Sequence, residues 1–325
     1  MNTSDRPVVL VTGASTGLGL VIAQQLIARD CYRLILTART ASLGRFAEAG
    51  VVQSDTVWLR PLDVTLHDDR IAVIDEALRV WDGIDILINN AGVSYRSVVE
   101  HVTMSERLIQ MDVNFNAPME LSRLVLPRMR EKQQGRILNI SSVGGMMAMP
   151  TMAAYSASKF ALEGASEALW YEVKPWNIRV TLVEPGFINS SSFENVRLTV
   201  LSREATSNPD VAYAKHYEHM SSFIERIMHR VRSTPEKVAR KVIRTMERRS
   251  PPLRVSATID AFLFSALRRL LPRRFYHWLL YKNLPKVKTW GPKQIGKKHQ
   301  DSNDAVPRTL HGKAALDHEP EAPKP

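Results

Sequence analysis

The first 190 residues alternate short, β-branched apolar runs with longer stretches in which apolar residues recur at helical spacing. That alternation predicts βαβ units feeding a parallel sheet, an α/β fold. Strands are predicted at residues 8–11, 34–37, 57–62, 84–88, 136–140 and 179–184, most of them apolar on both faces, as a helix-covered sheet requires. Ligands then gather beyond the C-terminal ends of these strands. Between Phe187 and Ser233 the strand pattern stops. Phe193, Tyr213, Tyr217, Met220 and Phe223 are mixed there with polar residues, and the segment reads as a mobile lid. Thr234-Pro235-Glu236 opens a helix with a capping hydroxyl, a first-turn proline and an early acid, running to about Arg249. Residues 253–255 fit a last strand.

From Ala261 to Leu284 the apolar stretches are broken by Arg268-Arg269 and Arg273-Arg274, well short of the roughly 20 residues that span a bilayer. Beyond Trp290, Lys, His, Pro and Asp dominate with few apolar residues, the composition of a disordered tail. The chain thus divides into an α/β domain at residues 1–255 with its lid at 187–233, a basic amphipathic helical extension at 256–290, and a tail at 291–325.

A length of 325 residues with 44% hydrophobic content suffices for a large core without metals or disulfides. Cys31 is the only cysteine, so no intramolecular bridge ties the fold to an oxidising compartment. The opening Met-Asn-Thr-Ser-Asp-Arg-Pro lacks the features of a secretion signal, and a cytoplasmic location is expected. The net charge of +11 is unevenly placed. Residues 1–225 carry 21 basic and 25 acidic side chains, whereas residues 226–325 carry 23 and 8. The C-terminal basic stretch, with Phe275, Tyr276 and Trp278, admits three readings: a peripheral contact with an acidic membrane surface, a subunit contact, or a solvated face. No motif points to nucleic acid, and the nine histidines lack metal-ligand spacing.

After the first strand comes Thr12-Gly13-Ala14-Ser15-Thr16-Gly17-Leu18-Gly19, then a helical pattern. Such a turn lets backbone N–H groups and a helix N-terminus approach a pyrophosphate. Gly13-x-Ser15-x-Gly17 also matches the nucleophile elbow of α/β-hydrolases, with Ser15 as nucleophile. That rival lacks an upstream strand and a His-Gly-Gly-Gly segment for its oxyanion hole. At the second strand end, Ala38 stands where an NAD-binding protein places an acid, and Arg39 follows. A guanidinium there suits a 2′-phosphate, so NADP(H) is expected over NAD. Thr16 lacks the second positive charge that NADP-preferring proteins often place in this turn. Asp63, with Val64, follows the third strand and can accept from the adenine amino group.

Asn89-Asn90-Ala91-Gly92 follows the fourth strand, Ser141-Ser142 the fifth, and Tyr155-Ser156-Ala157-Ser158-Lys159 opens the next helix. All should meet at one sheet edge. Tyr155 and Lys159, four apart, share a helix face, where the ammonium favours the phenolate. A free phenol titrates at about 10, so proton exchange near neutrality needs that help. Ser142 can polarise a carbonyl, and Asn114 can hold a water in a proton relay.

Taken in order, Thr-Gly-x-x-x-Gly-x-Gly, Asn-Asn-Ala-Gly, Asn, Ser and Tyr-x-x-x-Lys resemble the short-chain dehydrogenase/reductase family over roughly residues 6–255. The resemblance implies a Rossmann-like, doubly wound sheet of about seven parallel strands, with Asn114, Ser142, Tyr155 and Lys159 as the catalytic four. It implies a cofactor held by Gly13, Ser15, Thr16, Gly17, Leu18, Gly19, Arg39, Asp63, Val64, Asn90, Ala91, Gly92, Tyr155 and Lys159, and by Pro185, Gly186, Ile188 and Ser190 near the carboxamide. Ser190 stands where the family usually has threonine. The family usually forms dimers or tetramers through the helices at 118–133 and 153–173.

The expected chemistry is hydride exchange between nicotinamide and a carbonyl or alcohol carbon, with Tyr155 passing the proton. Met146, Met147, Met149 and Met152 between Ser142 and Tyr155 predict an apolar, adaptable pocket, with Ser142, Met147, Met149, Tyr155 and Phe187 facing the substrate. Val183-Glu184-Pro185-Gly186-Phe187 also resembles the branch acting on steroids and retinoids, which implies a lipophilic alcohol or ketone. The alternative is an NADP-binding redox sensor without turnover; such proteins tend to lose the tyrosine or the lysine, and both are present here.

Overall fold

A computed structural model describes residues 5–189 and 196–291. Seven strands form one parallel sheet: β1 Val8–Val11, β2 Arg33–Ala38, β3 Val57–Pro61, β4 Ile86–Asn89, β5 Gly135–Ile140, β6 Ile178–Glu184 and β7 Arg254–Ser256. Their order is β3-β2-β1-β4-β5-β6-β7, so the chain reverses direction across the sheet between β1 and β4. Val9 of β1 lies level with Leu34 on one side and Ile86 on the other. A crevice opens at such a switch point, beyond the strand C-termini.

Each segment predicted as a strand from continuous apolar character is one, with ends shifted by a residue or two. The cause of that character is burial on both faces. On one face α1 Gly17–Ile27 and α9 Pro235–Glu247 press Ile22, Ala23, Leu26, Val238, Val242 and Ile243 against the sheet. On the other, α3 His67–Trp81, α5 Ala117–Glu131 and α6 Ala153–Val173 contribute Val73, Ala77, Leu121, Val125, Met129 and Val173. Short α2 Gly44–Glu48 follows β2, and α4 Met104–Met111 begins with a capping box in which Thr103 and Glu106 satisfy each other's backbone N–H. Between α4 and α5 the helix widens into a π turn at Asp112–Asn116, with Asn114 at its centre.

The described part of the expected lid is helical. It holds α7 Val200–Ser207 and α8 Ala214–Arg230. Tyr217, Met220 and Ile224 recur at spacings of three and four, a helical stripe, and all three are buried. The Tyr217 hydroxyl accepts from Val98 N–H at 3.0 Å and pairs with His101 Nδ1 at 3.0 Å. Two of the aromatic and sulfur side chains of the expected lid, Tyr217 and Met220, are therefore this subdomain's own core.

After β7 come α10 Ile259–Leu270 and α11 Arg273–Lys282, separated at Pro272. Tyr276 of α11 and Phe264 and Leu267 of α10 pack with Val143, Met146 and Met147 into a third apolar cluster. No helix among the described residues is long and apolar enough to cross a membrane.

Candidate active site

The turns after β1 to β6 line one cleft of about 790 Å³. After β1, Gly13 and Gly17 have φ of +63° and +55°, a conformation that only glycine adopts without strain. A Cβ on Gly13 would lie 2.9 Å from Ala91 Cα, and one on Gly19 would overlap the Gly13 carbonyl oxygen. Close approach of the turn to the β4 loop thus depends on these residues. Thr12 Oγ1 accepts from Asn90 N–H and Ala91 N–H, each at 3.0 Å. Asn90 Nδ2 donates back to the carbonyls of Thr12 at 3.0 Å and Gly13 at 3.1 Å. The cross-bonded pair of loops holds the N-terminus of α1 at the cleft, with Ser15, Thr16, Gly17 and Leu18 along its wall. Unpaired N–H groups there favour an anion.

Beyond β2 the wall carries Arg39, Ser42 and Arg45. Arg45 lies on α2 and puts a second guanidinium on this wall. Asp63 and Val64 continue the wall after β3, and Asp63 Oδ1 accepts from the backbone and hydroxyl of Thr65 at 3.0 and 2.7 Å.

At the other end Ser142, Tyr155 and Lys159 come together. Ser142 caps the turn after β5, its Oγ accepting from Gly144 N–H at 3.0 Å. The half-buried Tyr155 shares a hydrogen bond with Ser142. A Cβ on Gly144 would stand 2.9 Å from Tyr155 Cε1, so the absent side chain makes room for the ring. Lys159, one turn along α6, donates from Nζ to the Ile140 carbonyl at 2.9 Å. Burial lowers its pKa from 10.5 to about 8. Tyr155 departs from the sequence expectation: burial raises the phenol above its ordinary value, and the bond to Ser142 only opposes that rise. In the free protein the phenol is therefore protonated at neutral pH, the state of a proton donor.

Asn114 sits behind this wall, fully buried. Its amide donates to the Val93 carbonyl at 2.8 Å and to Ser158 Oγ at 3.0 Å, while Oδ1 accepts from Val93 N–H at 2.9 Å. Ser158 Oγ in turn donates to the Tyr155 carbonyl at 2.8 Å. With both amide donors used, the side chain ties the β4 loop to α6, and only the second lone pair of Oδ1 is left to meet a water.

The short chain dehydrogenase family model matches residues 7–200. A 3-ketodihydrosphingosine reductase of Bacteroides thetaiotaomicron is 33% identical over 276 residues, 84% of this chain and 96% of that protein. The chain belongs to the short-chain dehydrogenase family. Retinol dehydrogenase 8 of Bos taurus is 30% identical to this short-chain dehydrogenase over 284 residues, 84% of this chain and 90% of that one. A short-chain dehydrogenase structure from Streptomyces avermitilis matches with a TM-score of 0.70 at 27% identity, covering 86% of this chain and 98% of that chain. A metagenomic short-chain oxidoreductase in complex with NADP matches at 0.56 and 26%, covering 77% and 96%. With relatives named reductases and dehydrogenases, the chain is an NAD(P)-dependent oxidoreductase, and the hydrolase reading of Ser15 falls.

The dehydrogenase brings most of the expected residues to the one cleft: Asn90, Ala91, Gly92, Pro185, Gly186, Phe187 and Ile188 join those above. Gly19 lies beneath the turn. Ser190 and Phe193 fall outside the described residues. Met147, expected to face the substrate, does not. Met149 and Met152 line the cleft, but Met147 is buried with Met146 against Tyr276, because the helices after Pro272 and before it need an apolar seat. Ile224 and Met228 of α8 line the cleft in their place. Arg45, Ser42, Gly144, Ser158 and these two α8 residues had no local signature; only the helical stripe ending at Ile224 was readable.

Proposed function

We propose that the enzyme reduces the carbonyl of a lipophilic substrate with NADPH, or oxidises the matching alcohol, using Tyr155 as the proton donor or acceptor. The observation that carries this reading is one continuous cleft with Arg39, Ser42 and Arg45 at one end and Ser142, Tyr155 and Lys159 at the other.

The residues fit a dinucleotide. The glycine turn is a cradle that side chains would fill, and the α1 N-terminus faces the pyrophosphate position. Arg39 and Arg45 suit the 2′-phosphate, with Ser42 as a further donor, and the NADP bound by the metagenomic relative supports that preference. Asp63 and Val64 would meet the adenine, Tyr155 and Lys159 the nicotinamide ribose, and the segment 185–188 the carboxamide, by likeness to the family. When bound, the nicotinamide supplies or accepts a hydride.

Tyr155, protonated in its buried setting, gives its proton to the substrate oxygen. Ser142 hydrogen-bonds that oxygen as negative charge develops. The Lys159 ammonium offsets the charge left on the phenolate. Asn114 and Ser158 hold the Tyr155 turn against the β4 loop. Met149, Met152, Val113, Ile224 and Met228 give the substrate end an apolar lining, in keeping with relatives named for a sphingoid ketone and for retinol, while Arg96 and Arg197 add two cations to the same cleft. Oxidation of NADPH, compared with NADH, over a panel of long-chain ketones, steroids and retinal tests the proposal. Turnover of at least one lipophilic carbonyl with NADPH is expected. Turnover confined to small polar carbonyls, or to NADH, would overturn it.

A further inference from the structure

We propose that the outward face of helices α10 and α11 is a docking surface for an anionic lipid bilayer, seated in its interfacial zone without crossing it. Helix α10 is apolar on two sides. One side, with Phe264, Leu267 and the following Leu271, packs on the cluster around Tyr276. The other presents Ile259, Phe262, Leu263 and Leu270, at helical spacing, with exposures of 78%, 63%, 54% and 80%. No described residue covers that stripe. Helix α11 adds exposed Phe275 and Trp278, whose rings stack at 5.4 Å, and Tyr281. Scattered exposed apolar residues are ordinary, but a continuous stripe on one helix face marks a contact.

Charge chooses the occupant. Between residues 259 and 291 there are seven lysines and arginines and one acid, Asp260. Arg268 lies over the Phe160 ring and Arg269 acts on buried Glu184, so the exposed cations that count are Arg273, Arg274, Lys282, Lys286 and Lys288. Asp260 is itself turned inward, accepting from Phe187 N–H at 2.8 Å. A symmetric contact with a second copy would set these cations against their own kind. An anionic headgroup layer neutralises them while its acyl boundary takes the aromatic and aliphatic stripe. Helices of 12 and 10 residues broken at Pro272 suit the plane of the interface. The same element braces the cleft from behind without lining it. Thr258 Oγ1 accepts from Gly186 N–H at 2.9 Å, and Met149 both lines the cleft and packs on the Tyr276 cluster. Docking would thus seat on the bilayer the element that braces Gly186 and Met149 of the cleft, whatever the substrate's identity.

The test is co-sedimentation of the full chain with vesicles of phosphatidylcholine alone and of equimolar phosphatidylcholine and phosphatidylglycerol. The wild type is expected on the anionic vesicles and not on the neutral ones. The pairs Phe262→Ser with Leu270→Ser, and Arg273→Glu with Arg274→Glu, are each expected to lower binding about ten-fold or more. Both variants should keep the wild-type unfolding temperature and NADPH binding, which excludes a folding defect. Absence of wild-type binding overturns the proposal. So does unchanged binding in the Phe262/Leu270 pair, which would place the contact elsewhere in the chain. A dimer that this pair dissociates, with no vesicle binding, would assign the face to a second copy and overturn it as well.

Discussion

Burying Lys159 at 5% exposure lowers its pKa from 10.5 to about 8, so between those values the folded chain holds fewer protons than the unfolded chain. Stability therefore rises with pH across that window, and at neutral pH the buried ammonium costs the cofactor-free protein on the order of 3 kcal/mol. Lys159→Met is predicted to stabilise the free protein by about that amount in urea titration near neutrality while removing turnover. In the active enzyme, kcat/KM for carbonyl reduction should fall about ten-fold per pH unit above pH 8, as the lysine loses its proton; a flat profile to pH 10 would remove Lys159 from this role. Gly144→Ala places a Cβ 2.9 Å from the Tyr155 ring and is expected to lower kcat about 100-fold with cofactor binding retained. Arg39→Ala and Arg45→Ala should each cut the preference for NADPH over NADH about 10- to 100-fold, measured as the ratio of kcat/KM values. That Tyr155, Lys159 and the glycine turn meet at the cleft was legible because it rests on spacing within one segment. Arg45 and Gly144 were not, since each gains its role from a side chain or loop distant in sequence.

At the scale of elements, three of them meet at Arg254 of β7. Its guanidinium pairs with Glu163 of α6, with Glu167 at 2.8 Å and with Glu184 of β6 at 3.2 Å. Glu163 and Glu184 are nearly inaccessible, and burial already raises the Glu184 carboxyl to about 7 with Arg269 as a further cation, so Arg254→Leu leaves chiefly Glu163 buried without its counter-charge. A loss of about 3–5 kcal/mol is predicted by urea unfolding, with residual activity tracking the folded fraction. The strands were readable because burial on both faces demands unbroken apolar runs, as in residues 8–11 and 34–36. The lid helices are obscured by composition: aromatic and sulfur side chains mixed with polar residues suggest a mobile segment, whereas Tyr217, Met220 and Ile224 form a buried helical stripe. Met147 was misplaced for a related reason. Its sequence neighbours line the cleft, yet the helices after β7, more than 100 residues on, decide which methionines they cover.

Across the whole molecule, sheet order places the turns of β1 to β3 at one end of a cleft and those of β4 to β6 at the other. Arg39 and Arg45 thus sit apart from Ser142, Tyr155 and Lys159 along one sheet edge. That the fold and its family could be read early follows from the same fact, since each turn carries its own motif and the sheet only assembles them. The central claim is that Tyr155 moves the proton in a reduction supported by NADPH. The most direct measurement compares wild type and Tyr155→Phe for NADPH oxidation with a long-chain ketone, with NADPH affinity measured on the same samples. A loss in kcat of about 1,000-fold or more, with affinity unchanged within about two-fold, is predicted. Retained turnover in Tyr155→Phe would contradict the account.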